Sequence, residues 1–197
     1  MIREPLDAAA LDQIFRTART YPGWLDREVT DAQLHAIYEL MKWGPTTMNT
    51  GPARILFVKS AAEKAKLVAC VTPGNVEKTR TAPVTAIVGY DVRFFEHMPL
   101  LAPHNPNARA ALEAKSDNET TALRNGALQG GYLIIAARAL GLDCGPMSGF
   151  DHARIDAAFW AGTTVRTNFI CNLGHGDRSK LFARSPRLPF AEACRIE

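Results

Sequence analysis

A chain of 197 residues with 47% hydrophobic content can bury a sizeable core, and its length suits one domain spanning residues 1–197 rather than two. Its 23 basic and 20 acidic residues leave a net charge of only +3 with no long like-charge run, which sets nucleic acid aside as a partner. Met1-Ile2-Arg3-Glu4-Pro5 leads into a polar amphipathic segment rather than an apolar signal region, and no apolar run approaches a membrane span, so the expectation is a soluble cytoplasmic protein with no membrane partner.

Residues 6 to about 20 read as a first helix, with Leu11, Ile14, Phe15 and Ala18 at helical spacing, broken by Pro22-Gly23. Thr30 caps a second helix through Lys42, whose apolar face carries Leu34, Ile37, Tyr38 and Met41, and Gly44-Pro45 stops it. Residues 54–58, 84–90 and 168–173 are short apolar runs rich in branched side chains, three candidate core strands. Residues 61–69 read as helical and 74–79 as a short helix before Pro83 opens the next strand. Residues 94–107 carry large apolar side chains early and then Pro99, Pro103 and Pro106, which suits a flap over a pocket better than regular structure.

Residues 119–140 form the longest helical pattern, ended by Gly141. Its small positions Gly126, Ala127, Gly130 and Gly131 allow close packing in a core or dimer interface, while Arg124, Gln129 and Arg138 make a lipid-facing span untenable. Gly145-Pro146-Met147-Ser148-Gly149-Phe150-Asp151 reads as a tight turn of backbone N–H groups delivered into a new helix. Helices outnumber strands in mixed order, so the fold class expected is layered α+β, a mixed central sheet flanked by helices, without strict βαβ alternation.

Cys70, Cys144, Cys171 and Cys194 are widely spaced with no His at ligand spacing, so neither a metal site nor a disulfide framework is expected. Cys144 reads as a small apolar filler rather than a reactive thiol. Gly141, Gly145 and Gly149 recur every four residues after a helix, which is neither a dinucleotide fingerprint nor a phosphate loop.

The polar loops instead carry donors suited to the parts of a flavin mononucleotide. Arg19-Thr20 supplies a cation and a hydroxyl, and Arg184 and Arg187 sit in a Pro-rich tail, a set that can clamp a phosphate. Pro45-Thr46-Thr47-Met48-Asn49 presents hydroxyls and an amide in a turn. Asn75 and Lys78 lie one helical turn apart, so the amide can meet a ring carbonyl or imide and the ammonium a developing negative charge. Taken singly, each of these also reads as a solvated loop or helix face.

Taken in order, Ala18-Arg19-Thr20, Trp43 to Asn49, Asn75-x-x-Lys78 with Ala82-Pro83, the Gly145 to Asp151 stretch and Ser185-Pro186-Arg187-Leu188-Pro189 resemble the FMN-dependent nitroreductases over nearly the whole chain. Lys42 to Thr46, Thr81 to Val88 and Gly141-Leu142-Asp143 are similar to the malonic semialdehyde reductase subgroup of pyrimidine degradation. The resemblance implies a homodimer with FMN at the interface and NADH or NADPH as co-substrate. It places Arg19, Thr20 and Arg187 on the phosphate, Asn75 and Lys78 at the ring edge, and Pro45, Thr46 and Asn49 in from the partner chain. Pro146, Met147, Ser148 and Gly149 then lie against the ring, with the backbone N–H of Ser148 or Gly149 near its reactive N5.

Relatives commonly have a basic pair at Ala18-Arg19 and a Lys at Ser185, which shifts phosphate binding here toward Arg184 or Lys180. They often carry Glu at Ser148, so this chain leaves that face less acidic. The implied reaction is ping-pong reduction of malonic semialdehyde to 3-hydroxypropionate, with Lys78 stabilising charge on the flavin. A broad nitroreductase or quinone reductase is the enzymatic alternative, and a flavin-binding module without turnover the alternative of another class.

Overall fold

The computed structural model describes residues 4–197, so Met1 to Arg3 of the N-terminal reading lie outside the described residues. In chain order the elements are α1 (Ala8–Leu11), α2 (Asp31–Met41), β1 (Ala53–Val58), α3 (Ala61–Val68), α4 (Pro73–Thr81), β2 (Val84–Asp91), α5 (Met98–Leu101), α6 (Ala108–Glu113), α7 (Asn118–Ala139), β3 (Asp143–Met147), α8 (His152–Phe159), β4 (Val165–Gly174) and α9 (Phe190–Ala193). No described helix is long and apolar enough to cross a membrane.

The strands form one sheet in the order β1-β2-β4-β3, antiparallel at every strand pair. Against the expectation of a mixed sheet, parallel pairing among the described residues is confined to one bridge, Thr20 to Cys144, on the outer edge of β3. The layered α+β arrangement holds. β2 is buried along its whole length, and its alternation sorts the core into two layers. Val84, Ala86 and Val88 meet Leu34, Ile37 and Met41 of α2 and Leu133, Ala136 and Ala137 of α7 on one face. Ile87 meets Leu67 of α3 and Ile155 of α8 on the other.

α2 forms as its sequence predicts: the Thr30 side chain accepts from Gln33 N while Gln33 Oε1 accepts from Thr30 N, a reciprocal cap. α7 ends at Gly141, whose φ of 77° is open to glycine at little cost. Bonds from Leu142 N to Ala137 O and from Gly141 N to Arg138 O close a Schellman turn.

Three further expectations are corrected. The first helix is shorter than residues 6–20: α1 widens into a π turn over Asp12–Arg16, and Thr17 N bonds Asp12 O five residues back. Arg19 and Thr20 are therefore extended chain running beside β3. Residues 94–107 are not an irregular flap, since Phe94–His97 makes a 3₁₀ turn that leads into α5. Phe94, Phe95 and Met98 fill a satellite core with Leu112 of α6 and Ala122 of α7, while Pro99 falls in the first turn of α5, where it breaks no helix bond, and Pro103 and Pro106 lie beyond that helix. Finally, residues 143–147 are strand rather than turn. Pro146 pairs opposite Cys171, which is tolerated because β3 is an edge strand where a missing N–H costs no ladder bond.

Candidate functional site

α4 is the element on which the site is built. Pro73 at its first turn is pre-set for helix, and Thr72 precedes it in extended conformation. The carbonyl of Gly149 receives three donors from this segment: Thr72 N at 3.0 Å, Thr72 Oγ1 at 3.0 Å and Asn75 Nδ2 at 2.7 Å. One turn on, the Lys78 carbonyl accepts from Trp24 Nε1 at 3.0 Å and from Asn172 Nδ2 at 2.9 Å. The structure thus brings Asn75 to Gly149 and ties Lys78, through its carbonyl, to Trp24 and to Asn172 of β4. Because the Asn75 NH₂ faces a carbonyl, its Oδ1 is left as the acceptor for a ligand N–H. Lys78 is half-buried and makes no ion pair among the described residues.

Gly149 has a structural reason to be glycine. A Cβ there would lie 2.6 Å from Asn75 Nδ2 and 2.8 Å from Thr72 Oγ1, so the close approach it permits is that of α4. Gly149→Ala is expected to keep the fold, displace Asn75 from the Gly149 carbonyl and weaken FMN binding about tenfold. Fluorescence titration of the variant checks this.

Pro146, Met147 and Ser148 line a hollow of about 370 Å³ whose opposite side is Ala127, Gly131 and Ile134 of α7. A Cβ on Gly131 would meet nothing within 4 Å, so here the small residue makes room rather than contact. Cys144 and Cys171 are fully buried behind this strand pair. The hydrogen bond to the Cys144 thiol, with burial, holds Cys171 well above the usual thiol range, and both act as core filler.

Alongside β3, Tyr21 N donates to Cys144 O, which sets Arg19-Thr20 beside the strand. Arg19 Nη2 bonds Phe182 O at 2.6 Å, and Arg184 Nη2 bonds Ala18 O at 2.7 Å, a reciprocal clasp between the two segments. Arg184 is therefore brought to Arg19. Arg187 is not: its guanidinium bonds its own neighbours, Ser185 O and Pro186 O, and is exposed. Lys180 lays its stem over Gly23.

Pro45, Thr46 and Asn49 stand apart from this group. Thr46 and Asn49 open on a larger cavity of about 1140 Å³ with Trp43, His97, Leu100 and Leu101. Their loop is tightly held: Gly51 N donates to Thr46 Oγ1, and Asn49 Nδ2 donates to Leu101 O at 2.9 Å. Met48 and Asn49 both have positive φ, 51° and 58°, a costly conformation for Met that the surroundings must impose. What imposes it was not visible in the sequence. Asn125 and Gln129, buried one turn apart on α7, accept from Thr47 N and Ala53 N at 2.8 Å and pin both ends of the loop. Two polar residues spaced four apart beside Gly126 and Gly130 were the available signal.

An antiparallel four-stranded sheet between two helical layers is the class of fold. A model described as the nitroreductase family matches residues 16–175. A Cupriavidus pinatubonensis protein provisionally named NADH dehydrogenase/NAD(P)H nitroreductase is 59% identical over 189 residues, 94% of this chain and 96% of its own. HadB of Ralstonia pickettii, provisionally named in the same way, is 57% identical over 190 residues, 95% and 97% of the two chains. The chain belongs to the nitroreductase family, a family of oxidoreductases. Its fold is similar to a provisionally named nitroreductase of Exiguobacterium sibiricum solved in complex with FMN, with a TM-score of 0.83 at 18% identity over 100% of both chains.

Proposed function

We propose that the chain acts as one flavin-binding domain of an NAD(P)H-dependent FMN oxidoreductase, in a homodimer, and that its substrate is malonic semialdehyde, reduced to 3-hydroxypropionate. The observation that carries the reading is the bond from Asn75 to the Gly149 carbonyl, which sets α4, with Lys78 one turn on, beside the segment whose Pro146, Met147 and Ser148 line the hollow.

The residues fit the cofactor. A flat ring is accommodated where Gly131 leaves space opposite Pro146–Ser148, and a phosphate finds cations and a hydroxyl at Arg19, Thr20 and Arg184. FMN, when bound, supplies hydride transfer between NAD(P)H and the substrate. Asn75 would accept from the ring imide through Oδ1, its NH₂ being held on the Gly149 carbonyl. Lys78 would supply a positive charge to stabilise the reduced cofactor. Ser148 and Gly149 would offer main-chain N–H groups to the ring, and Arg187 would meet the phosphate only if the exposed tail moves. Pro45, Thr46 and Asn49 reach the ring from a second copy. Exposed apolar side chains at Trp43 (78%) and Phe182 (79%) offer surface that a second copy would cover. Cysteines that are all unpaired suit a reducing compartment, and the cytoplasm completes the reading.

The size of the cavity under Trp43, Leu100 and Leu101 favours a second reading, a broad nitroreductase or quinone reductase acting on bulky aromatic acceptors. The purified protein is expected to be yellow and to bleach with NADPH or NADH. Steady-state kinetics with malonic semialdehyde, nitroaromatics and quinones then decide: a kcat/KM for the semialdehyde below that for the aromatic acceptors gives the second reading. Protein that binds FMN and is not bleached is a flavin-binding module, and protein that takes up no FMN ends every flavin reading.

A further inference from the structure

Lys64 lies on α3 with only 8% of its surface exposed, and its Nζ donates to the Ala82 carbonyl at 2.5 Å. Burial alone pushes its ammonium down to about 8. A buried ammonium with no counter-ion is costly, so its seat matters. Ala82 is the residue that closes α4, which puts the cation at the carbonyl end of that helix, where the helix dipole favours positive charge.

α4 is held at three points. The Gly149 carbonyl takes its N-terminal end, and Trp24 and Asn172 take its middle through the Lys78 carbonyl. Lys64 takes its C-terminal end, and of the three anchors it alone carries a titratable side chain. The charged groups around it are occupied with one another. Glu63 and Lys66 of α3 pair at 2.6 Å, and Glu77 and Arg80 of α4 pair at 2.7 Å, all on the surface. On the α8 side, Asp151 accepts from Arg154 N, Asp156 is spent on Thr167, and His152 lies against Phe150.

We propose that Lys64 is a positioning residue for the flavin site: its ammonium, bonded to the Ala82 carbonyl, clamps the C-terminal end of α4 and so holds Asn75 and Lys78 on the ring edge. The inference rests on the flavin reading of α4 given above. The grip is full while Lys64 is protonated and weakens as pH rises through about 8. Fold stability moves the other way. A lysine whose folded value lies below its unfolded value leaves the unfolded chain holding more protons between about 8 and 10.5, so stability rises over that window. Affinity lost there is therefore not a sign of unfolding.

The test is fluorescence titration of the purified protein with FMN from pH 7 to 9.5, for wild type, Lys64→Met, Lys64→Arg and the exposed control Lys66→Met. Wild type is expected to lose about three- to tenfold in affinity across that range. Lys64→Met is expected to start weak at pH 7 and stay flat. Lys64→Arg, whose guanidinium does not titrate there, should remain tight to pH 9.5, and Lys66→Met should follow wild type. A Lys64→Met variant with wild-type affinity and wild-type pH dependence overturns the inference. Should that variant not fold, a wild-type fall in affinity in Lys64→Arg, or a flat wild-type profile, overturns it equally. Wild type that binds no FMN at any pH ends the flavin reading itself, and this inference with it.

Discussion

Replacing Lys78 with alanine is expected to slow reduction of the bound flavin by NAD(P)H about a hundredfold and to lower its two-electron potential by roughly 40–60 mV. A unit charge about 4 Å from a developing one, at an effective dielectric near 20, is worth roughly 4 kcal/mol. Solvent at a half-buried side chain reduces that to roughly 2–3 kcal/mol, the source of both figures. The change is clean because the helix is held by the Lys78 carbonyl rather than its ammonium: Trp24 and Asn172 bond the backbone whatever the side chain. Stopped-flow reduction and spectroelectrochemistry read the two effects, and Lys78→Arg should recover most of the potential. An alanine variant with wild-type rate and potential would remove Lys78 from the chemistry.

The second large effect is expected at a residue that touches no ligand. Asn172 on β4 is fully buried, accepts from Thr85 Oγ1 at 2.7 Å on β2 and donates to the Lys78 carbonyl. Asn172→Ala strands the Thr85 hydroxyl and takes away one of the two donors on Lys78. A loss of about 2–4 kcal/mol in urea unfolding is expected, with FMN binding weakened as α4 loses its tie to the sheet. Pairing Thr85→Val with Asn172→Leu should cost less than either change alone, because it removes both halves of the buried pair and leaves only the Lys78 carbonyl short of a donor. Were the single alanine change neutral, the tie between sheet and α4 would have no energetic weight.

Both predictions use contacts that link residues nearly a hundred positions apart, and they mark where reading a sequence runs out. Local signals were sound wherever a segment's own chemistry decides its shape. Thr30 with Gln33 starts α2, Gly141 ends α7, and the branched runs at 54–58, 84–90 and 168–173 lie within β1, β2 and β4. β3 was hidden because Gly-Pro is a turn signal. Only the sheet order, which leaves β3 at an edge, makes proline acceptable there. Residues 94–107 were hidden because three prolines argue against helix locally, while the burial of Phe94, Phe95 and Met98 is settled by α6 and α7.

Candidate site residues divide in the same way. Asn75 and Lys78 were legible as a pair, since helical spacing alone puts them on one side of α4. The choice of Arg184 over Arg187 beside Arg19 was not, because it depends on a clasp between residues 18–19 and 182–184. Nor were Asn125 and Gln129, whose side chains hold the backbone of a loop some seventy-five residues earlier in the chain.

By itself, then, the sequence determined the elements with strong local patterns and the family. Tertiary structure alone decided which cations share a place, which carbonyls α4 is hung from, and why Lys64 is buried on a carbonyl rather than on a carboxylate among the described residues. Propensity and capping act over a few residues and can be read in order. Hydrogen bonds and burial between distant segments exist only once the sheet has closed the distance.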